Sequence, residues 1–199
     1  AHTMIVGPGM LDAACPGDVF AGPPVEFVTE TSKLMDTPAG VLYIVNNYTG
    51  DRTAWEMARE MCEAEGQKIG WLLVNDDVAV KDSTWTVGRR GVAGNFFVIK
   101  AAAAMADNGG SLEECVRVGE KVIGQVRTMG IALSSCTPPV RGTPLFEIAD
   151  DEMEVGIGIH GEPGRQRTKI VSANEIVDLL LNAIVPALPF VDGDEVAVM

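Results

Sequence analysis

The sequence has few positive charges: 15 lysines and arginines stand against 28 aspartates and glutamates, a net charge of −13 over 199 residues. An acidic surface repels phosphate backbones and anionic lipid, so nucleic acid and membranes are poor partners. The sequence also lacks an apolar run near the ~20 residues that a membrane-spanning helix needs. Its opening stretch has neither the basic start nor the long apolar centre of a signal peptide.

Cysteine is sparse as well. The four cysteines are widely separated and form no CxxC pair; they are Cys15, Cys62, Cys115 and Cys136. This number is too small for a disulfide scaffold in a chain of this length, and a zinc site would need closely spaced ligands. We therefore expect reduced, mostly buried thiols, a cytoplasmic location and no metal on this chain.

Several nucleotide and hydrolase motifs are missing. No glycine cluster has Walker A or Rossmann spacing, which predicts that the chain itself holds no nucleotide cofactor. The GxSxG elbow of serine hydrolases is absent too. The basic "GRRG" at residues 88–91 could hold a phosphate or an acidic partner, although a solvated basic turn is at least as good an interpretation.

Strand-like and helical segments alternate along the chain, which is typical of an α/β fold. We expect mostly parallel sheet layers with helices on both faces, in two α/β domains. The first domain is predicted to span residues 1–127. The second, residues 128–199, is expected to be incomplete, because the final predicted strand has no helix to cover it. Both ends look cut, so we expect a piece of a longer protein.

The individual elements follow from apolar runs and capping boxes. Strands are predicted at residues 39–47, 68–74, 130–135, 153–161 and 194–199, and helices at 53–66, 96–107, 111–129 and 172–186. The capping boxes pair Thr53 with Glu56, Ser111 with Glu114, and Ser172 with Glu175. A long irregular loop is predicted between residues 78 and 95, and long loops in compact domains are often functional.

Three polar segments follow predicted strands: "NNYTGD" (46–51), "NDD" (75–77) and "HGEPG" (160–164). Ligands of open α/β sheets bind at the carboxyl ends of the strands. Asp51 is either a helix N-cap or a group facing this crevice; the capping box at Thr53 and Glu56 leaves it free for the crevice. A lone histidine is usually structural, but His160 lies among glycines that admit a ligand, and neutral imidazole can act as base or nucleophile.

These segments resemble a known family. In order, "GPGMLDAACPGDVF", "NNYTGD", "NDDVAVKDS", "TVGRRGVAG", "GIALSSCTPP" and "DEMEVGIGIHGEPG" are similar to the substrate-binding subunit of dihydroxyacetone kinases. The resemblance covers residues 1–167, with a weaker tail to residue 199. Six motifs in the family's order make it highly specific.

The resemblance implies a function for two residues. It implies that His160 attacks the carbonyl of a short-chain ketone and forms a hemiaminal, and that Asp51 lies against the substrate hydroxyls and assists phosphoryl transfer. Asn46 and Gly50 of the same motif are expected in the substrate site. A separate nucleotide-binding subunit is expected to bring magnesium and the phosphoryl group, derived from ATP or a phosphocarrier. The resemblance also implies a homodimer.

The chain departs from the family pattern in two places. Asn46 stands where the family often has a substrate-contacting lysine. The family's "GGGSGHEP" loop would lie just before Ala1, and His2 matches a different position, so His2 is given no catalytic role. The departure at Asn46 mildly favours an alternative: a kinase-like sensor or coactivator that binds dihydroxyacetone and regulates transcription through a protein partner. A purely structural domain is a third, weaker interpretation.

Overall fold

The computed structural model describes residues 2–80 and 88–199. Helices and strands alternate in the order α1 (Val25–Met35), β1 (Val41–Asn46), α2 (Thr49–Ala64), β2 (Ile69–Val74), α3 (Asn95–Asp107), α4 (Leu112–Gln125), β3 (Ile131–Ala132), β4 (Glu152–Val155), β5 (Gln166–Lys169) and α5 (Ala173–Ile184), with 3₁₀ turns at His2–Ile5 and Val185–Ala187. The α/β class predicted from the sequence is confirmed.

The first sheet pairs β1 with β2 in parallel, from Val41 opposite Ile69 to Asn46 opposite Val74. Successive side chains of a strand point to opposite faces, and both faces of β1 are covered. Tyr43 and Val45 pack with residues of α1 and α2, whereas Leu42 and Ile44 pack with residues of α3 and α4. Helices therefore cover both faces of this sheet, as predicted.

The second sheet is antiparallel, with strand order β3-β4-β5. β4 and β5 are joined by residues 156–165, a turn segment without the crossover helix that a parallel pair would need. Among the strands of residues 2–80 and 88–199, parallel pairing therefore occurs only in the first sheet; two isolated bridges, Val6 with Leu11 and Asp77 with Thr128, are also parallel. The predicted division at residues 127 and 128 falls between α4 and β3, and it stays a prediction.

Several predicted boundaries were wrong. β4 ends at Val155, and Gly156 turns away with φ +82°, so the strand does not reach His160. The segment 194–199 forms no strand. Neither α1 nor β5 was expected: α1 begins after Pro24 without a capping side chain, and β5 has only four residues, most of them exposed. The predicted loop at 78–95 is irregular over 78–80 and 88–94, and its remaining residues lie outside the described part.

The start of α2 also differs from the prediction. The helix begins at Thr49, not at Thr53: the Thr53 hydroxyl donates to the Thr49 carbonyl at 2.9 Å. Glu56 pairs with Arg52 at 3.0 Å instead of closing a capping box. Asp51 therefore lies in the first turn of the helix. The capping boxes that begin α4 and α5 are confirmed.

Candidate functional site

The carboxyl end of β1 meets the turn that carries His160. After β1 the chain passes through Tyr48 into α2, and the Tyr48 ring stands edge-on to the His160 ring, with centroids 4.4 Å apart and planes at 75°. The Tyr48 hydroxyl accepts a hydrogen bond from the backbone N–H of Ile159 at 3.4 Å. Residues far apart in the sequence thus form one site, and Tyr48 was not anticipated as part of it.

The His160 turn is closed by its own backbone. The N–H of Gly158 donates to the Glu162 carbonyl at 3.1 Å, and the N–H of Gly161 donates to the Gly158 carbonyl at 3.2 Å. Gly161 has φ +83°, a left-handed conformation that favours glycine. The His160 side chain remains 22% exposed, so the ring is partly accessible from solvent.

Glu162 binds the same histidine twice. Its carboxylate accepts the backbone N–H of His160 at 3.2 Å and lies 3.5 Å from His160 Nδ1. A carboxylate at Nδ1 favours the tautomer with the proton there, which leaves the Nε2 lone pair free in the neutral ring. Glu162 was not among the site residues predicted from the sequence, although its place two residues after His160 could have indicated such a contact.

The charges around His160 shift its titration. The hydrogen bond to Glu162 raises the pKa of His160, burial opposes the shift, and the charge of Asp51 adds to it. Burial acts to raise the pKa of Glu162, but the hydrogen bond and charge of His160 outweigh it, and that pKa lies below its usual range. The pair therefore favours an imidazolium and a carboxylate, and His160 becomes nucleophilic once the ring loses its extra proton.

Asp51 reaches this site from the first turn of α2. Burial raises the pKa of Asp51, and the charge of His160 acts in the opposite direction. The Asp51 and His160 side chains attract each other electrostatically over a longer distance, because no direct ion pair joins them in the described part of the chain. A Cβ added at Gly22 would lie 3.2 Å from Asp51 Oδ1, so the N-terminal segment packs closely over this carboxylate. Gly50 precedes it, with open space where a side chain would be.

Asn46 lies in a different polar cluster. Its Oδ1 accepts a hydrogen bond from Asn95 Nδ2 at 2.7 Å, and the same amide nitrogen lies 2.5 Å from His2 Nε2. Burial lowers the pKa of His2, which favours its neutral form. The structure therefore brings Asp51 to the His160 side, leaves Gly50 beside it in the first turn of α2 without a contact to His160 among the described residues, and ties Asn46 and His2 to each other through Asn95.

Asp76 and Asp77 of the "NDD" segment bind residues from other parts of the chain. Asp76 accepts the backbone N–H groups of Val92 at 2.8 Å and Gly94 at 2.9 Å, and it also accepts the Thr128 hydroxyl. Asp77 pairs with Arg90 at 2.7 Å, and both side chains are buried. The interpretation of "GRRG" as a solvated turn is therefore wrong for Arg90.

Within residues 2–80 and 88–199, no three His, Cys, Asp or Glu side chains gather in a way that would hold a metal ion. None of the helices described is both long and apolar enough to cross a membrane.

The Dak1 domain model matches residues 1–199. The chain belongs to the Dak1 domain family. It is 49% identical over 199 residues to the dihydroxyacetone-binding subunit DhaK of PTS-dependent dihydroxyacetone kinase 1 of Listeria innocua, a match that covers 100% of the chain and 60% of that protein. It is 43% identical over 183 residues to the corresponding subunit of the PEP-dependent kinase of Escherichia coli, covering 92% and 51%. The Dak1 chain thus spans between about half and three fifths of the length of these relatives.

Solved structures of Dak1 relatives share the fold. The dihydroxyacetone kinase from C. freundii, in complex with AMP-PNP and Mg²⁺, superposes with a TM-score of 0.88 at 35% identity, covering 95% of this chain and 35% of that one. The dihydroxyacetone kinase operon co-activator Dha-DhaQ superposes with a TM-score of 0.86 at 30% identity, covering 93% and 57%. Both a kinase and a co-activator are therefore built on this fold.

Proposed function

We propose that the chain is the ketone-binding part of a dihydroxyacetone-type kinase. It holds a short-chain ketose as a hemiaminal on His160, for phosphorylation by a separate nucleotide-binding subunit. The observation that carries the proposal is the pairing of His160 Nδ1 with the Glu162 carboxylate at 3.5 Å, within the field of Asp51. This pairing leaves Nε2 as the nucleophilic atom of a partly exposed ring.

The addition step balances without a leaving group. The Nε2 lone pair of neutral His160 attacks the carbonyl carbon, and the π electrons of the C=O bond move to its oxygen. Glu162 takes the proton from Nδ1, the new alkoxide takes a proton from water, and Glu162 then returns its proton to the hydroxide that is left. Glycerol has no carbonyl, so the same site discriminates against it.

Asp51 is proposed to act in the next step. Its pKa is raised by burial, so its carboxylate is a better proton acceptor than an exposed aspartate. It would take the proton of the substrate hydroxyl as that oxygen attacks the phosphoryl group. Gly50 keeps the start of α2 open beside it. Asn46 would contribute through the Asn95 cluster rather than by direct contact with His160.

The phosphoryl group would come from a partner subunit that carries ATP, or phosphate from a phosphocarrier, together with magnesium. The relatives described as PTS-dependent and PEP-dependent kinases support this part of the proposal, as does the kinase structure with AMP-PNP and Mg²⁺. A homodimer and two domains divided near residue 127 complete it. The free state of all four cysteines agrees with a cytoplasmic location.

Carbon-13 NMR with dihydroxyacetone labelled at the carbonyl carbon tests the covalent step. On forming the hemiaminal, that carbon changes from sp² to sp³, and its resonance should leave the carbonyl region when the protein is added. His160→Ala should abolish the new resonance. His2→Gln, at the other histidine of the chain, should keep it. A carbonyl resonance unaffected by the wild-type protein would overturn the proposal.

The second candidate is a sensor that captures the ketone without passing it to a kinase. The fold shared with Dha-DhaQ and the asparagine at position 46 favour it. Both candidates predict the adduct, so phosphoryl transfer separates them. A nucleotide-loaded subunit of a related kinase, with ATP regenerated, should convert the bound ketone to its phosphate if the chain is a kinase part.

A further inference from the structure

Building on the proposed function, we propose that Arg90 is a positioning residue that sets the His160 turn against Tyr48 and Asp51. Arg90 is the second arginine of "GRRG", and its side chain is only 4% exposed. It extends from Asp77, just after β2, to the Gly156 carbonyl, where β4 ends. It thus links the first sheet to the chain segment that leads to His160.

The fork of the guanidinium makes this link. Arg90 Nε donates to Asp77 Oδ2 at 2.7 Å, while Nη2 lies 2.7 Å from the same oxygen and donates to the Gly156 carbonyl at 2.6 Å. The backbone N–H of Asp77 in turn donates to the Arg90 carbonyl at 2.9 Å. Asp77 therefore fixes both ends of the arginine, and the direction of the Nη2 donor is set.

The glycines of "GIGIHG" allow this close approach. A Cβ at Gly156 would lie 2.6 Å from the Ala79 side chain, so the backbone packs directly on the segment after Asp77. A Cβ at Gly158 would lie 2.7 Å from Arg90 Nη1 and would overlap the Glu162 carboxylate. Arg90 and Glu162 thus approach the same residue, two positions before His160.

The link matters because the two halves of the site belong to different sheets. Tyr48 and Asp51 follow β1, whereas His160 and Glu162 follow β4. Together with the contacts of Tyr48 and the packing of Gly156 on Ala79, the Arg90 bridge holds these two halves at a fixed separation. A misplacement of ~1 Å can cost about 10²-fold in rate. The adduct needs the same alignment of ring and carbonyl, so a modest shift of the turn should also weaken it.

Arg90→Lys tests the role, because lysine keeps the charge beside Asp77 but has no planar fork to reach Gly156. The control is Arg167→Lys. Like Arg90, Arg167 pairs with a carboxylate through Nε, but its partner is Glu154, at 2.9 Å inside the second sheet. The measurements are the equilibrium constant of the carbon-13 adduct, the nuclear Overhauser contacts between the Tyr48 and His160 rings, and thermal unfolding.

We expect Arg90→Lys to fold, to lose the Tyr48–His160 contacts and to weaken the adduct by about tenfold to a hundredfold; Arg167→Lys should change neither. Ring contacts and adduct strength in Arg90→Lys that equal those of the wild type would overturn the positioning role.

If wild-type protein forms no adduct, the proposed function fails, and the ring contacts still test the positioning. If Arg90→Lys does not fold, the neutral pair Asp77→Asn with Arg90→Gln replaces it, since it leaves no bare charge. Unfolding of both variants would also overturn the proposal, because Arg90 would then be a core residue.

Discussion

At the scale of single residues, the pairing of His160 with Glu162 is the feature with the clearest chemical consequence. An oriented imidazole needs one nitrogen bonded and the other free, and Glu162 supplies the first condition. The same carboxylate raises the pKa of His160, so the ring is held in position at the expense of being protonated more often near neutral pH. The pH dependence of adduct formation should report this balance.

Glu162→Gln should lower the pKa of His160, because the amide keeps the size of the side chain but not its charge. Adduct formation requires the neutral ring, so its midpoint should move to lower pH in the variant. NMR titration of the His160 ring measures the pKa directly. An unchanged His160 pKa in Glu162→Gln would contradict the assigned contact.

The same shift predicts a stability effect. A histidine whose folded pKa is raised stabilises the fold below its unfolded value of ~6.5, and this stabilisation is lost as the pH rises through the folded pKa. Urea unfolding at ~pH 5.5 and ~pH 8.5 should therefore show a smaller difference in Glu162→Gln than in wild type.

Asp51→Asn should separate binding from transfer. In the proposed function His160 attacks the ketone, so the carbon-13 adduct should persist in the variant. Phosphoryl transfer with a kinase partner should slow by roughly 10²–10⁴-fold, the loss typical of an acid–base group. Asp36→Asn, at an exposed aspartate after α1, is the control. Transfer at the wild-type rate in Asp51→Asn would remove Asp51 from the mechanism.

At the scale of elements, close packing of α4 on the first sheet holds β2 in place. Gly119 lies in the interior of α4, and a Cβ there would overlap Leu72 of β2. Gly119→Ala should therefore cost ~1–3 kcal/mol of unfolding free energy through overpacking. Gly124→Ala, in the same helix with nothing within 4 Å of its added Cβ, should be neutral or stabilise by up to ~1 kcal/mol. Equal unfolding midpoints for the two variants would contradict this packing.

At the scale of the whole molecule, the proposed transfer of the phosphoryl group from a separate subunit leads to a prediction about nucleotides. The chain carries a net charge of −13, and no phosphate-binding loop is recognisable in its sequence. Calorimetry with the protein alone should detect dihydroxyacetone but no micromolar binding of ATP, with or without Mg²⁺. Tight ATP binding would show that this chain holds the phosphoryl donor itself.

The sequence alone determined the features of this protein that depend on residues close together in the chain. The continuous apolar run before Asn46 specified a buried parallel strand, and Ser111 with Glu114 specified the start of a helix, because hydrophobic periodicity and capping act over a few residues. The "NYTGD" and "HGEPG" segments also predicted Asp51 and His160 as site residues, because each motif lies within a few consecutive residues. The start of α2 was misplaced because Thr53 and Glu56 imitate a capping box four residues inside the helix.

Only the tertiary structure decided which of these residues meet. Nothing local to residue 48 indicates that its ring faces residue 160, and nothing in "GRRG" indicates that its second arginine is buried against Asp77 and Gly156. Such contacts join residues far apart in the chain and depend on how two sheets pack. The antiparallel second sheet belongs here too, because short strands carry too few residues for periodicity to define their pairing.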